Sequence, residues 1–179
     1  SDPELFIYDR YTNNFVSSIG IIPGVKGKAA PMGNLGEGFG LQIDNVLAEF
    51  NIPPTNNRET FIKNIEVAKE YISEFLMTKN QNLKIICAAS AAFPSNQLMS
   101  KEALEFGCSV DYNAWTEEPN EKPKGENTRL RTTGTHIHVG FDDPKTSVRL
   151  ELIKAMDLFL GVPSVIIDPD RNRRKLYGK

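Results

Sequence analysis

Hydrophobic and polar positions alternate in short runs along most of this chain, and two longer stretches repeat apolar residues at every third or fourth position. The first run, ELFIYD, is β-branched and aromatic, and NNFVSSIGII follows after a polar link. Together they predict a hairpin with strands over about residues 3–8 and 15–19 and a turn in DRYTNN. Residues 20–40 are glycine-rich and read as a long connection with several positions able to take positive φ. LQIDNVLAEFNIPP reads as one strand-like segment stopped by Pro53–Pro54. In RETFIKNIEVAKEYISEFLMTKN, the residues Phe61, Ile65, Ala68, Ile72, Phe75 and Leu76 recur at helical spacing, with Asn56 or Asn57 as the cap. LKIICAA reads as a short buried strand with Cys87 in the core, and residues 107–128 as a polar excursion around Trp115. THIHVGF is the next predicted strand. KTSVRLELIKAMDLFLGVP is a second amphipathic helix on Val148, Leu152, Ala155, Met156 and Phe159, followed by an apolar stub and a basic tail. Strands outnumber helices and are separated by long loops, so the expected class is α+β with a mainly antiparallel sheet in one domain spanning residues 1–179.

Composition narrows the function classes. A chain of 179 residues with 40% hydrophobic and 25% charged positions can bury a core without cross-links. Its net charge of −2 supplies no field to recruit nucleic acid or an anionic membrane. No apolar run approaches the length of a membrane span, and no signal peptide is visible. The two cysteines, Cys87 and Cys108, do not make a disulfide framework; Cys108 reads as a loop thiol, and reduced, cytoplasmic surroundings are expected.

The candidate chemistry lies in polar residues placed where apolar ones are expected. Both histidines of the chain, His136 and His138, stand two apart in THIHVG, so on a strand they share one face while Ile137 and Val139 take the core side. An HxH pair with a further carboxylate can hold a divalent cation, and a pair of surface histidines is the plain alternative. Glu49 lies between Ala48 and Phe50 in a strand that otherwise reads as buried, where an unpaired acid is costly. A metal, a basic partner or a wet strand face would each resolve that cost, and Gln42 and Asp44 could line an adjacent part of the same surface. Asp2 and Glu4 share a face of the first strand, a spacing that suits a hard cation and equally a frayed terminus. Arg129 and Arg131 can aim forked donors at an anion, and Arg171, Arg173, Arg174 and Lys175 form a second basic cluster or a solvated tail. Acids on two strands, imidazoles on a third and arginines beside them form a pattern for a polyanion held through divalent metal.

The blocks DPELFIYD, GFGLQIDNVLAEFNIPP, EFGCSVDYNAWT, LRTTGTHIHVGF and FLGVPSVIIDPDRNRRKLYGK, in this order, resemble the carboxylate–amine ligase (amidoligase) family of tailed phages and prophages, which is related to glutamate–cysteine ligase and glutamine synthetase. The resemblance covers nearly the whole chain. It implies a sheet curved into a half-barrel with flanking helices, carrying ATP and Mg²⁺ or Mn²⁺. Glu4, Glu49, His138 and its neighbour His136 would be the metal ligands. Arg129 and Arg131 would face phosphate or the substrate carboxylate and act in catalysis, with Arg173 and Arg174 as further cofactor-binding residues. The implied reaction activates a small-molecule or peptide carboxylate as an acyl phosphate, which an amine then attacks to give an amide. Two departures accompany the resemblance: relatives continue into a strand with an E-Y-R-like motif beyond the position of Lys179, and Asp2-Pro-Glu4 stands where they often carry E-x-E. The domain is therefore expected to be C-terminally incomplete, and a catalytically incomplete phage module with a structural or binding role is the alternative.

Overall fold

A computed structural model describes residues 1–105, 112–120, 128–141 and 145–177. Its contacts divide the chain into two compact units, residues 1–107 with 125–137, and residues 108–124 with 138–179.

The first unit is built around one long strand. Strand β1 (Asp2–Asp9) pairs antiparallel with β2 (Asn14–Val16), as the hairpin pattern predicts, and has three further partners: β5 (Leu47–Asn51), β6 (Leu83–Ile86) and β9 (Thr135–His136). β5 returns against β4 (Gly40–Asp44), and β4 against the short β3 (Ala30–Pro31). The result is a curled antiparallel half-barrel sheet of seven strands in an α+β fold. A separate two-stranded ladder joins β7 (Ser90–Ala92) to β8 (Leu130–Thr132).

One expectation of a single strand is corrected to a hairpin. LQIDNVLAEFN folds back at Asn45–Val46, where Asn45 takes a left-handed φ of 54°. Asparagine tolerates that conformation better than other non-glycine residues, which closes a two-residue turn. Both arms alternate in the same way and both run Leu41, Ile43 and Ala48, Phe50 to one face, so periodicity alone does not reveal the reversal.

That face is the core. Helix α1 (Arg58–Lys79) starts where the Asn57 side chain accepts a hydrogen bond from the Thr60 N–H at 2.8 Å. It lays Ala68, Ile72 and Leu76 on Leu5, Ile7, Leu41, Ile43 and Phe50, with Phe61, Ile65 and Phe75 packed at the margin. The opposite face of the sheet is divided. At one end Phe6 and Leu47 pack with Phe93, Leu98 and Ala103 in a second apolar cluster, while at the other end the alternation brings up polar side chains. In the glycine-rich connection, Gly24 has φ +79°, and a Cβ there would lie 2.5 Å from the Leu41 carbonyl oxygen, so only glycine fits.

The predicted buried strand at LKIICAA stops at Ile86, and Cys87 is exposed rather than in the core. β1, its partner, pairs only as far as Ile86, so Cys87 falls past the last rung. Cys108 and part of the polar excursion lie outside the described residues.

In the second unit, α3 (Thr146–Met156) runs into a π-helical turn over Asp157–Gly161 and then into α4 (Val162–Ile167). The predicted amphipathic helix thus continues through the apolar stub. Pro163 has no N–H for the helical ladder, and the chain absorbs the defect by wider bonds, with the Val162 N–H reaching back to the Asp157 carbonyl. After an Asp168–Pro169–Asp170 turn, α5 (Arg171–Tyr177) orders the basic segment predicted as a tail. Among the described residues no helix is long and apolar enough to cross a membrane.

Candidate functional site

Strand register decides what meets on the polar end of the sheet. Glu4 of β1 lies opposite Glu49 of β5, and Glu49 lies opposite Gln42 of β4. Asp2, two residues before Glu4, lies opposite His136 of β9. Acids from strands 45 residues apart in sequence thereby form one row with an amide at its end.

The carboxylates are held, not loose. Glu49, 7% exposed, accepts a hydrogen bond from the Gln42 side-chain amide through Oε2 at 2.7 Å. Glu4, half-buried, accepts one from the Gly134 backbone N–H through Oε2 at 2.7 Å. Each acid is held by the protein through Oε2, and among the described residues no hydrogen bond to the other oxygen of either acid is seen. Asp44, on the same face, is buried and bonded to the Lys26 ammonium at 2.7 Å, and Asp2 stands 3.8 Å from His136 Nδ1.

Burial governs the protonation of this row. Loss of hydration pushes the Glu4 carboxyl up to about 7, reinforced by the negative charges of Asp44 and Glu49 and opposed by the Gly134 N–H and by Lys26. Glu49 is raised for the same leading reason, with Asp44 and Asp2 adding to the rise and the Gln42 amide and Lys26 opposing it. Two acids kept side by side against their own ionisation are a store of electrostatic free energy that a cation would release.

Strand pairing joins only some of the sequence-predicted residues. Glu4 and Glu49 meet, and Gln42 and Asp44 join their face as the alternation suggests. His136 is brought to Asp2 at the end of the row. His138 is not on that strand: β9 ends at His136, the rung opposite Asp2 at the start of β1, and residues 137–140 continue without strand pairing. Ile137 and Val139 are accordingly exposed, at 60% and 53%, instead of facing the core, and His138 belongs to the second unit.

The arginine pair is also split. Arg131 is 2% exposed, and its guanidinium donates to the carbonyls of Ala103, at 3.0 and 2.7 Å, and of Thr128 and Leu130. It braces the end of helix α2 (Lys101–Leu104) against β8, and burial lowers its pKa. These carbonyl contacts give Arg131 a structural role beside the two-stranded ladder. Arg129 precedes the same strand and is exposed. Arg173 and Arg174 lie on α5 in the second unit.

Lys26 was not foreseen. It sits between Gly24 and Gly27, both at positive φ, in a small loop closed by the Val25–Lys28 bridge. The glycine spacing in PGVKGK is a trace of that loop, but nothing local shows that it reaches Asp44.

Among the described residues, no group of three or more His, Cys, Asp or Glu side chains is arranged to hold a metal ion. The pair Glu4 and Glu49 nonetheless fits a hard cation of the Mg²⁺ type. Such an ion is commonly held by one or two carboxylates and completes its octahedron with water and substrate phosphates. No protein-family model, curated protein or solved structure matches the chain.

Proposed function

We propose that the polar end of the half-barrel sheet binds a divalent cation with ATP and serves an amide-forming carboxylate–amine ligase. The observation that carries this reading is the Glu4–Glu49 pair, two buried or half-buried acids set opposite one another, each held by the protein through one oxygen. The five motif blocks that resemble the amidoligases support it, because the acids they single out on separate strands are the ones that meet.

In this reading Glu4 and Glu49 hold Mg²⁺, which when bound neutralises phosphate charge and aligns the transfer. The Gly134 N–H and the Gln42 amide each tether one oxygen of these acids. Lys26, half-exposed on Asp44, supplies a positive charge at the rim for a phosphate or a substrate carboxylate. The substrate carboxylate attacks the terminal phosphorus of ATP, releasing ADP and forming an acyl phosphate. An amine then attacks the acyl carbon, loses a proton and expels inorganic phosphate.

The test is thermal unfolding with Mg²⁺ and ATP, together and singly. Mg²⁺–ATP is expected to raise Tm, and Glu4→Gln or Glu49→Gln to remove the rise. No shift at about 5 mM nucleotide would sink the proposal, since ligand well above Kd stabilises by about 2–3 kcal/mol. Binding without phosphate release over a panel of carboxylates and amines would favour a binding module on the same sheet.

A further inference from the structure

The second unit carries a pocket of its own, about 610 Å³ in volume, within the range that accepts small ligands. One wall is apolar, built from Val162, Val165 and Ile166 of α4. Trp115 forms another part of the lining, with its backbone and its indole N–H both hydrogen-bonded. The Asn113 side chain accepts the Trp115 backbone N–H at 2.8 Å, the indole N–H donates to Asp157 Oδ2 at 3.0 Å, and the Lys154 ammonium lies 5.7 Å from the ring centroid. The π-helical turn forced by Pro163 is what carries Asp157 at its first position.

Two arginines border this apolar space, and they are not equivalent. Arg173 is matched by Asp168 at 3.3 Å, and its backbone N–H is capped by Asp170. Arg174 is half-buried and also lines the pocket, yet among the described residues its guanidinium has no carboxylate or carbonyl partner. Asp157 and Asp168 line the same space, the first bonded to the indole N–H and the second to Arg173, so Arg174 is the guanidinium left beside the hydrophobic wall and the indole to receive an anion that has an apolar body.

We propose that this pocket binds a small amphipathic oxyanion, a carboxylate or phosphate monoester whose head group pairs with Arg174 and whose aromatic or branched body packs on Trp115 and α4. All of the pocket's lining residues belong to the second unit. Neither a bare anion nor an apolar molecule of the same size satisfies both walls.

Trp115 is the only tryptophan of the chain, so its fluorescence reports on this pocket alone. The experiment titrates the full chain in EDTA, without divalent cation, with phenylacetate and with phenyl phosphate, and in parallel with acetate, inorganic phosphate and benzyl alcohol. Saturable change with either aromatic anion, at least about tenfold weaker for the other three probes and in Arg174→Gln, is expected from loss of one charge-assisted pair or of the apolar contact. The tighter of the two aromatic anions identifies the head group. Arg174→Lys and far-UV circular dichroism accompany the set, and a folded Arg174→Gln that binds as tightly as the parent overturns the proposal. So does equal binding of acetate or phosphate, or no saturation by about 10 mM. Glu49→Gln is expected to leave all these titrations unchanged, so failure of the ligase reading and failure of this one are separable.

Discussion

Replacing Glu4 by glutamine isolates the energetics of the acid row. Glutamine keeps an oxygen to accept the Gly134 N–H, has nearly the same volume, and removes only the ability to ionise. In the folded protein the Glu4 carboxyl titrates at about 7 instead of 4.5, chiefly because burial disfavours its charge. The folded state therefore holds a proton that the unfolded chain has already lost. Below about pH 4.5 both states are protonated and Glu4 makes no pH-dependent difference. Between about pH 4.5 and 7 stability falls as pH rises, and above about pH 7 the full penalty applies. At roughly 1.4 kcal/mol per pH unit, the displacement amounts to about 3 kcal/mol. Glu4→Gln is thus expected to match the parent at pH 4 and to exceed it by up to about 3 kcal/mol at pH 8, or several degrees in Tm for a chain of this size. The assay is urea unfolding followed by far-UV circular dichroism in EDTA from pH 4 to 8.5. A difference that does not change with pH, or a variant less stable than the parent at pH 8, would refute the burial argument.

Other consequences follow from the same packing. Millimolar Mg²⁺ or Mn²⁺ is expected to reduce that pH-dependent loss in the parent and to have little effect in Glu49→Gln, as read by Tm at pH 8 with and without EDTA. Arg131→Met is expected to cost about 2–3 kcal/mol by leaving the Ala103 carbonyl without its charged donors, while leaving Mg²⁺–ATP binding intact; a stable variant that loses nucleotide binding would show that Arg131 acts on the anion as well. Ile72→Ala, at a fully buried position under the sheet, is expected to lower stability by about 2–5 kcal/mol in urea unfolding. Gly24→Ala is expected to cost at least about 1–3 kcal/mol, since its Cβ would press on the Leu41 carbonyl at a left-handed φ, and a neutral result would show that the loop holding Lys26 can relax.

Local pattern was enough for the elements whose neighbours in sequence are their neighbours in space. The β1–β2 hairpin, the capped helix α1 with Ala68, Ile72 and Leu76 inward, and the mainly antiparallel α+β class could be read from alternation, helical spacing and an asparagine cap. Glu4 and Glu49 could be singled out as acids in apolar strands, because an ionised group next to Ala48 and Phe50 conflicts with their burial whatever the fold. The turn at Asn45 lay hidden because both arms of the hairpin carry the same alternation.

Tertiary structure alone decided which polar residues meet. Register sets Glu4 on Glu49 and Glu49 on Gln42, and a slip of one residue would send each to the helix-covered face. Arg129 and Arg131 look identical in RLRTTG, yet one is exposed and the other is buried among carbonyls, since only the packing of α2 against β8 supplies acceptors at Ala103. His136 and His138 look like a strand pair, but the ladder ends between them where β1 has no further rung. Sequence determined which side chains conflict with an apolar environment; the long-range pairing of β1 determined how those conflicts are grouped, because strand partners are chosen by summed burial over whole faces and not by the polar residues themselves.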